Sequence, residues 1–361
     1  MLNIYVPIYN SDFCAEYQIK TLQAFIQDEE YNIVIVDQNF GRHPESSAKM
    51  LSLCEEAGDN VFYSENTDKL ALLHQERMEK TGDMTLIPYK IGATLNICYA
   101  HAKQTNAEYF GFLDQDCFLF SPINLAEILK EKRAYGKVVP THPDKIHRVL
   151  PGGKSVKDVY GCDHAWNLHC IVNFYETQFL VDHEPKTSED PLINFMPGSW
   201  GPGPSCDPSK GVGLDTGGAN WFSVWRHQKI KDFWMPEDHY YYYNDLSLLD
   251  PRGEKPSNTT YEIHNDRWVH MVHGGVSEDA VEVLSPKFSY IKGFLDSALL
   301  SAKRPGAKNT GFRSTHDPRG SLDSFERKEE VEAGDPKAEL DEKNDVPNPI
   351  KINDLLSTFQ S

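Results

Sequence analysis

Two aspartates that follow a short apolar run have the chemistry to bind a divalent cation. The run Tyr109–Leu113 is followed by Asp114-Gln115-Asp116, and its aromatic content and polar borders predict a buried strand. If the chain stays extended, both carboxylates point to one side. Convergent carboxylates at the carboxyl end of a strand predict a site for Mg²⁺ or Mn²⁺ that leaves coordination for phosphate oxygens. The alternative is a solvated Asp-x-Asp turn.

Composition limits the classes of function that remain open. The 361 residues carry a formal net charge of −18 and are 39% hydrophobic and 11% aromatic. This length allows one large domain or two small ones, with a real core. The negative charge argues against binding to nucleic acid or to an anionic membrane. The negative charge is compatible with a phosphate-containing ligand that binds together with a metal ion, because the cation reverses the local sign of charge.

Cysteine usage and hydropathy indicate a cytoplasmic protein. The seven cysteines are scattered and form no Cys-x-x-Cys pair, which favours reduced, mostly buried thiols. No basic region followed by an apolar one opens the chain, so we expect no secretory signal. No stretch approaches the roughly 18 apolar residues of a membrane span. Peripheral contact with a membrane is left open.

Strands alternate with helices over the first 130 residues, which predicts parallel pairing with right-handed crossovers. The continuous β-branched run at 33–37 indicates a strand buried on both faces, and the polar stretch 67–88 is interpreted as a partly helical insertion. The other expected elements are a first strand from Asn3 that Pro7 stops, a strand at 61–63, and helices at 45–57, at 92–104 and from Pro122.

The character of the sequence changes after about residue 140. All six tryptophans lie between residues 160 and 270, where their rings either pack in a core or offer flat faces to sugars. The spacing of Gly and Pro over 197–204 predicts a loop. Residues 315–361 contain twelve acidic and six basic residues, a net charge of −6, which indicates a flexible tail.

Four segments, in their order along the chain, resemble the GT-A-fold glycosyltransferases, most closely the family-2-like group. The resemblance covers about residues 3–275. The four segments are Val6-Pro7-Ile8-Tyr9-Asn10, Val36-Asp37, Ile91-Gly92-Ala93-Thr94-Leu95-Asn96 and Phe112-Leu113-Asp114-Gln115-Asp116; the last is similar to the DxD motif.

The resemblance implies a GT-A-like, Rossmann-type domain at 1–304, with a mixed, mostly parallel sheet flanked by helices. Its nucleotide-sugar half would be 1–120, its aromatic-rich acceptor half 140–280, and its acidic tail 305–361. It implies a metal-dependent enzyme that moves a sugar from a nucleoside diphosphate sugar to a hydroxyl of a glycan or glycoconjugate. UDP-sugars are favoured on family frequency.

The metal ligands implied by the resemblance come from two segments. Asp116 is expected to be the direct ligand of Mn²⁺ or Mg²⁺, while Asp114 belongs to the site through the ribose or a metal-bound water. His273 precedes Gly274-Gly275 and resembles a third metal or diphosphate contact. It is favoured over His270. In a strand, a spacing of three places the two histidines on opposite faces.

The donor site implied by the resemblance gathers residues from several strand ends. Tyr9 would lie against the nucleobase and Asp37 would accept a hydrogen bond from it. The segment Asp215–Phe222 resembles the Gly-Gly strand beside the donor sugar; the alternative is a Gly-rich turn entering a buried strand. The expected donor residues are Pro7, Tyr9, Asn10, Asp37, Asn66, Gly92, Asn96, Asp114, Gln115, Gly217 and Gly218.

The catalytic base is expected near residue 245. Tyr243–Leu248 resembles the Glu-Asp-x-x-Leu pattern of the family, with Asn244 in place of the first acid. Asp245 is the candidate general base of an inverting enzyme, and Glu237-Asp238 is the rival pair. The alternative for both is an acid at a helix N-terminus. Asn244 leaves the inverting assignment open, since a retaining enzyme would need no such base. The acceptor is expected to contact Trp200, Trp221 and Asn244.

Two other classes of function are alternatives to a glycosyltransferase. Asn244 favours a non-catalytic protein that binds a carbohydrate or nucleotide sugar on the same fold. Hydrolysis of the donor would separate the two, since a pure binder leaves the donor intact. A metal hydrolase using the His-rich region 142–273 is disfavoured, because no pair of histidines there has a convincing ligand spacing.

Overall fold

The computed structural model describes residues 1–83, 86–140, 166–182, 216, 242–243, 261–264, 267–271 and 281–302. Its strands are β1 (Leu2–Ile8), β2 (Tyr31–Asp37), β3 (Val61–Glu65), β4 (Tyr109–Leu113), β5 (Cys117–Leu119), β6 (Ala134–Pro140), β7 (Trp166–Glu176), β8 (Tyr242–Tyr243), β9 (Tyr261–His264) and β10 (Trp268–Met271). Its helices are α1 (Asp12–Phe25), α2 (Pro44–Ala57), α3 (Lys69–Thr81), α4 (Ile87–Gln104), α5 (Leu125–Lys132), α6 (Thr177–Asp182) and α7 (Val281–Ala302).

A mixed, mostly parallel sheet flanked by helices is confirmed. Its strand order is β3-β2-β1-β4-β7-β6. β1, β2 and β3 pair in parallel, and β6 and β7 pair antiparallel. A second sheet, with strand order β5-β10-β9-β8, is antiparallel throughout. The expected third strand at 61–63 continues to Glu65.

The chain divides into two compact units with interleaved segments. The first unit comprises 1–66, 111–131 and 234–329, and therefore holds β1 to β3, α1, α2, α5, α7 and the second sheet. The other unit comprises 67–110, 132–233 and 330–361, with α3, α4, β6, β7 and α6. The boundary falls within β4, at Gly111.

In the first unit, β1 is buried along its whole length. It does not stop at Pro7, as the sequence indicated, but pairs with β2 as far as Ile8 opposite Asp37. Successive residues of a parallel strand bond to neighbours on alternate sides, and Pro7 faces away from β2, so its missing N–H costs the β1–β2 ladder no hydrogen bond. Here the Ile8 carbonyl accepts from Gln38 N on the β2 side (2.8 Å).

Helix α1 packs against the first unit's strands through a buried face that includes Cys14, Gln18 and Leu22. Its N-terminus is capped by the Ser11 hydroxyl, which accepts from Cys14 N, and serine is among the residues favoured at this position. Helix α7 covers α1, with the Tyr17 hydroxyl donating to Asp296 Oδ1 (2.7 Å).

In the other unit, α3 and α4 lie against each other. Asp68 caps α3 by accepting from Leu70 N and Ala71 N, and Gly82 ends it with a left-handed φ of 67°. Helix α4 begins at Ile87, five residues earlier than expected, with Pro88 in its first turn. Proline is favoured there because it lacks only a hydrogen bond that a first-turn residue cannot make.

The described cysteines and helices bear on two expectations from the sequence, reduced thiols and the lack of a membrane-spanning segment. Cys14, Cys54, Cys98 and Cys117 are free and buried, which confirms the prediction for these four. Within the described ranges, no helix combines the length and apolar character needed to cross a bilayer.

Candidate metal and nucleotide site

The two aspartates after β4 converge through a turn. Cys117 N donates to the Asp114 carbonyl (3.0 Å), so the chain is not extended beyond Leu113 and strand alternation does not explain the convergence. The turn is not the solvated alternative either, because Asp116 is only 5% exposed. Asp114 keeps partial exposure, so one carboxylate is buried and its neighbour faces outward.

A histidine reaches this turn from the second sheet. β5 follows the turn and pairs antiparallel with β10, which sets His270 opposite Cys117. Met271 N also donates to the Asp116 carbonyl (2.8 Å). As a result, His270 Nε2 lies 3.3 Å from Asp116 Oδ1, with both side chains almost fully buried.

Asp114, Asp116 and His270 form one group of potential ligands. One ligand atom from each lies within 4.8 Å of the others. Two carboxylates and an imidazole fit a divalent cation such as Mn²⁺ or Mg²⁺, and Asp114 is the member of the group that keeps partial exposure. His273, the residue favoured from the sequence, lies outside the described residues. His270 was the second choice because only His273 adjoins the glycines.

Asp37 ends β2 and is 2% exposed. Its Oδ1 accepts from Asn39 N (2.7 Å) and its Oδ2 accepts from the Tyr63 hydroxyl (2.6 Å). Burial raises the pKa of Tyr63, and the hydrogen bond to Asp37 raises it further. Tyr63 therefore remains a hydroxyl donor that orients the carboxylate. No local sequence pattern predicts this role for Tyr63, since only the register of β3 on β2 brings the tyrosine to Asp37.

The segment after β1 is tied to both neighbouring strand ends. Tyr9 N donates to Gln115 Oε1 (2.8 Å), and Asn10 N donates to Asn39 Oδ1 (2.8 Å). Asn10 adopts a left-handed φ of 46°, which asparagine tolerates better than most residues. The carboxyl ends of β1, β2 and β4 therefore lie together, as expected for the ligand edge of such a sheet.

Tyr9 also contacts His43, which no motif in the sequence indicates. Its hydroxyl lies 3.2 Å from His43 Nε2, and the two rings meet edge to face with centroids 5.3 Å apart. Of the other donor residues, Pro7 lies within β1, while Asn66 is buried and its N donates to the Asp37 carbonyl (2.9 Å).

A buried thiol lies close to the cation ligands. Burial raises the pKa of Cys14 far above its ordinary value; the hydrogen bond with Ser11 opposes that rise, and the charges of Asp116 and Asp114 add to it. Cys14 therefore stays a neutral thiol rather than a thiolate ligand.

The remaining predicted residues fall elsewhere. Gly92 and Asn96 are buried in α4, in the other unit. Thr216, next to the predicted glycines, is buried and its hydroxyl donates to the Pro88 carbonyl (3.3 Å). The predicted residues outside the described part are Gly217, Gly218, Trp200, Trp221, Glu237, Asp238, Asn244, Asp245 and His273.

Comparison with known proteins gives only distant structural likenesses. No family model matches the chain, and no curated protein matches its sequence. Mannosyltransferase PcManGT from Pyrobaculum calidifontis, in complex with GDP-Man and Mn²⁺, is 16% identical with a TM-score of 0.29, covering 50% of this chain and 45% of its own. Galactosyltransferase LgtC, with donor and acceptor sugar analogues, is 11% identical with a TM-score of 0.30, covering 49% and 58%. S. aureus TarS, in complex with UDP, is 14% identical with a TM-score of 0.28, covering 51% and 49%.

The chain thus spans about half the length of each of these solved structures. With TM-scores below 0.5, the likenesses carry none of the functional inference, which rests on the side chains described above.

Proposed function

We propose that the chain is a glycosyltransferase that binds a nucleoside diphosphate sugar through a divalent cation. The observation that carries this proposal is the group formed by Asp114, Asp116 and His270, whose ligand atoms lie within 4.8 Å of one another. The group follows β4, and the Tyr9–Gln115 hydrogen bond joins it to the end of β1. A hard-ligand site at the carboxyl edge of a mostly parallel sheet is where a nucleotide and its phosphates bind in such folds.

The cation would be held by buried Asp116 and His270 on one side and by partly exposed Asp114 on the other. When bound, it supplies charge neutralisation for a departing diphosphate. The imidazole nitrogen favours Mn²⁺ over Mg²⁺, since Mg²⁺ prefers oxygen ligands and retained waters. The chain itself is strongly acidic, so anionic phosphates need a cation to approach this surface.

The nucleoside would lie across the ends of β1 and β2. Asp37 is held by two donors, Asn39 N and Tyr63, and each carboxylate oxygen keeps a further lone pair for an N–H of the base or a hydroxyl of the ribose. A carboxylate whose rotamer is already fixed loses little entropy on binding. Tyr9 supplies the neighbouring aromatic ring. A uracil base, with its single imide N–H, suits this acceptor.

The acceptor and the stereochemistry complete the proposal. We assign a glycan or glycoconjugate hydroxyl as the acceptor, with Trp200 and Trp221 as apolar sugar contacts and Asn244 nearby. Asp245 is the proposed general base of an inverting transfer, with Glu237 and Asp238 as the rival pair. A second candidate function, binding of the nucleotide sugar without transfer, is favoured by Asn244 in an acid position.

The test is turnover of a panel of UDP- and GDP-sugars with Mn²⁺, with and without glycan acceptors. Release of the nucleoside diphosphate that needs Mn²⁺ and is lost in Asp245→Asn supports a transferase. Binding of the donor with no release, under any acceptor, supports the binding protein instead. Failure of both binding and release contradicts the proposal as a whole.

A further inference from the structure

The amide of Gln18 contacts the backbone of the cation turn at three points. Gln18 lies in α1 and is completely buried. Its Nε2 lies 3.0 Å from the Asp114 carbonyl oxygen, 3.2 Å from that of Gln115 and 2.7 Å from that of Cys117. Two N–H groups thus serve three acceptors, which requires at least one of them to be shared.

The environment leaves no choice about the orientation of this amide. Three carbonyl oxygens converge on one end of the side chain, and only the nitrogen end can donate to them. The other end, Oε1, is buried and has no hydrogen-bond partner within the described part of the chain. A side chain that satisfies only one of its two polar ends is poorly suited to stabilising the core for its own sake. Its evident contribution is therefore to the turn.

Fixing three carbonyls within four residues fixes the peptide planes between them, because each residue has only two soft dihedrals. Those same dihedrals set the directions of the Asp114 and Asp116 side chains. The other side of the turn is held by Met271 N donating to the Asp116 carbonyl and by Gln115 Oε1 accepting from Tyr9 N. Gln18 thus links α1 to the turn that carries the potential cation ligands.

We propose that Gln18 is a positioning residue for the cation site: its amide holds the turn 114–117 so that the carboxylates of Asp114 and Asp116 converge. This inference rests on the proposed function, since it assumes that a cation binds at this group. It differs from a purely structural role, in which Gln18 only satisfies buried carbonyls and leaves the cation affinity unchanged.

Gln18→Met tests the proposal, because methionine has nearly the same size and no N–H donor. The matched control is Gln23→Met, on the same helix, where Gln23 Nε2 donates to a single carbonyl, that of Ala57 (2.8 Å), on the exposed side. The full chain is titrated with Mn²⁺ alone, and free Mn²⁺ is followed by electron paramagnetic resonance well below both melting temperatures. We expect Gln18→Met to weaken Mn²⁺ binding by about ten- to a hundredfold, as loss of a group that orients metal ligands does, and Gln23→Met to leave it within about twofold.

Hydrogen exchange provides a readout that needs no metal. The amides of Cys117 and Met271 donate to carbonyls of the turn, those of Asp114 and Asp116 respectively, and we expect both amides to exchange faster in Gln18→Met than in Gln23→Met. Unchanged exchange would show that Gln18 does not hold the turn. Faster exchange with unchanged Mn²⁺ affinity would reduce Gln18 to a structural role. Either result overturns the proposal.

Two further results remain distinguishable. If the wild type itself does not bind Mn²⁺, the proposed function fails and the positioning role with it, while hydrogen exchange still reports whether the amide holds the turn. If Gln18→Met does not fold, Gln18→Asn, which withdraws the amide by one methylene, takes its place. We expect Gln18→Asn to show weaker Mn²⁺ binding and faster amide exchange, both to a smaller extent than Gln18→Met. The absence of both changes would contradict the proposal.

Discussion

At the residue scale, His270 is the potential metal ligand that the structure adds to the expectation from the sequence. It lies 3.3 Å from Asp116, whereas the sequence favoured His273. We expect His270→Gln to weaken Mn²⁺ binding by about tenfold or more, since removing one ligand of a three-residue site loses both a bond and its preorganisation. His273→Gln is the matched variant, and calorimetric titration with Mn²⁺ is the measurement. Loss of affinity in His273→Gln alone would show that the sequence-based assignment was right.

The residues of the candidate site were predictable to different degrees. Asp114 and Asp116 were found because an apolar run and two acids are adjacent in sequence, although the turn that joins them was not foreseen. Gln18 and Tyr63 were not found. Each acts over a long sequence separation, on residues 96 and 26 positions away, and no local pattern reports which side chains meet across a fold.

At the element scale, α5 depends on a carboxylate from outside the helix. Asp28 Oδ2 accepts from Leu125 N (2.9 Å) and its Oδ1 accepts from Ala126 N (2.6 Å), so it satisfies two first-turn amides that have no partner in the helix itself. We expect Asp28→Ala to lower the free energy of unfolding by about 1–2 kcal/mol, measured by urea denaturation. Asp28→Asn keeps one acceptor and should lose less. Equal losses in the two variants would rule out the cap.

Another element-scale prediction concerns the pair α3 and α4. Burial, with a smaller contribution from the charge of Arg77, lowers the pKa of His74 from its ordinary value near 6.5 to about 4. The unfolded chain takes up a proton below pH 6.5, whereas folded His74 does so only near pH 4, so stability falls as the pH drops through that range. The total loss is about 3 kcal/mol.

The readout for His74 is urea unfolding at several pH values between 6.5 and 4. His74→Gln should remove part of the loss of stability in this range. His101→Gln, on an exposed position of α4, should keep the wild-type slope. A His74→Gln slope identical to the wild type would contradict the assignment.

Strands and helices could be predicted where apolar residues dominate a short segment with polar borders. β4 was expected at 109–113 and is found there. The start of α4 was predicted too late. The Gly-x-x-x-Asn resemblance placed it at residue 92, whereas Pro88 is itself a helix-start signal and the helix begins at Ile87. Pro7 suggested an early end for β1, but its missing N–H faces away from β2 and does not interrupt the pairing with that strand.

At the scale of the whole molecule, the residues that carry the proposal precede position 275. The 305–361 segment is acidic and poor in apolar residues, so we expect a chain ending at Arg304 to keep its metal and nucleotide binding. The measurement is the Tm of both forms with and without Mn²⁺ and UDP. A truncated chain that folds but no longer responds to Mn²⁺ with UDP would show that the segment belongs to the site.

The most direct test of the central claim is a thermal-shift comparison of UDP and GDP with and without Mn²⁺, on the wild type and on Asp116→Ala. Asp59→Ala, which removes an exposed carboxylate between α2 and β3, is the control. A ligand at a hundred times its Kd should stabilise the fold by about 2.7 kcal/mol, a shift of several degrees. The proposal predicts that one nucleotide raises Tm only with Mn²⁺, equally in the wild type and Asp59→Ala, and not in Asp116→Ala. A shift that survives Asp116→Ala, or no shift with any nucleotide, would contradict the cation site after β4.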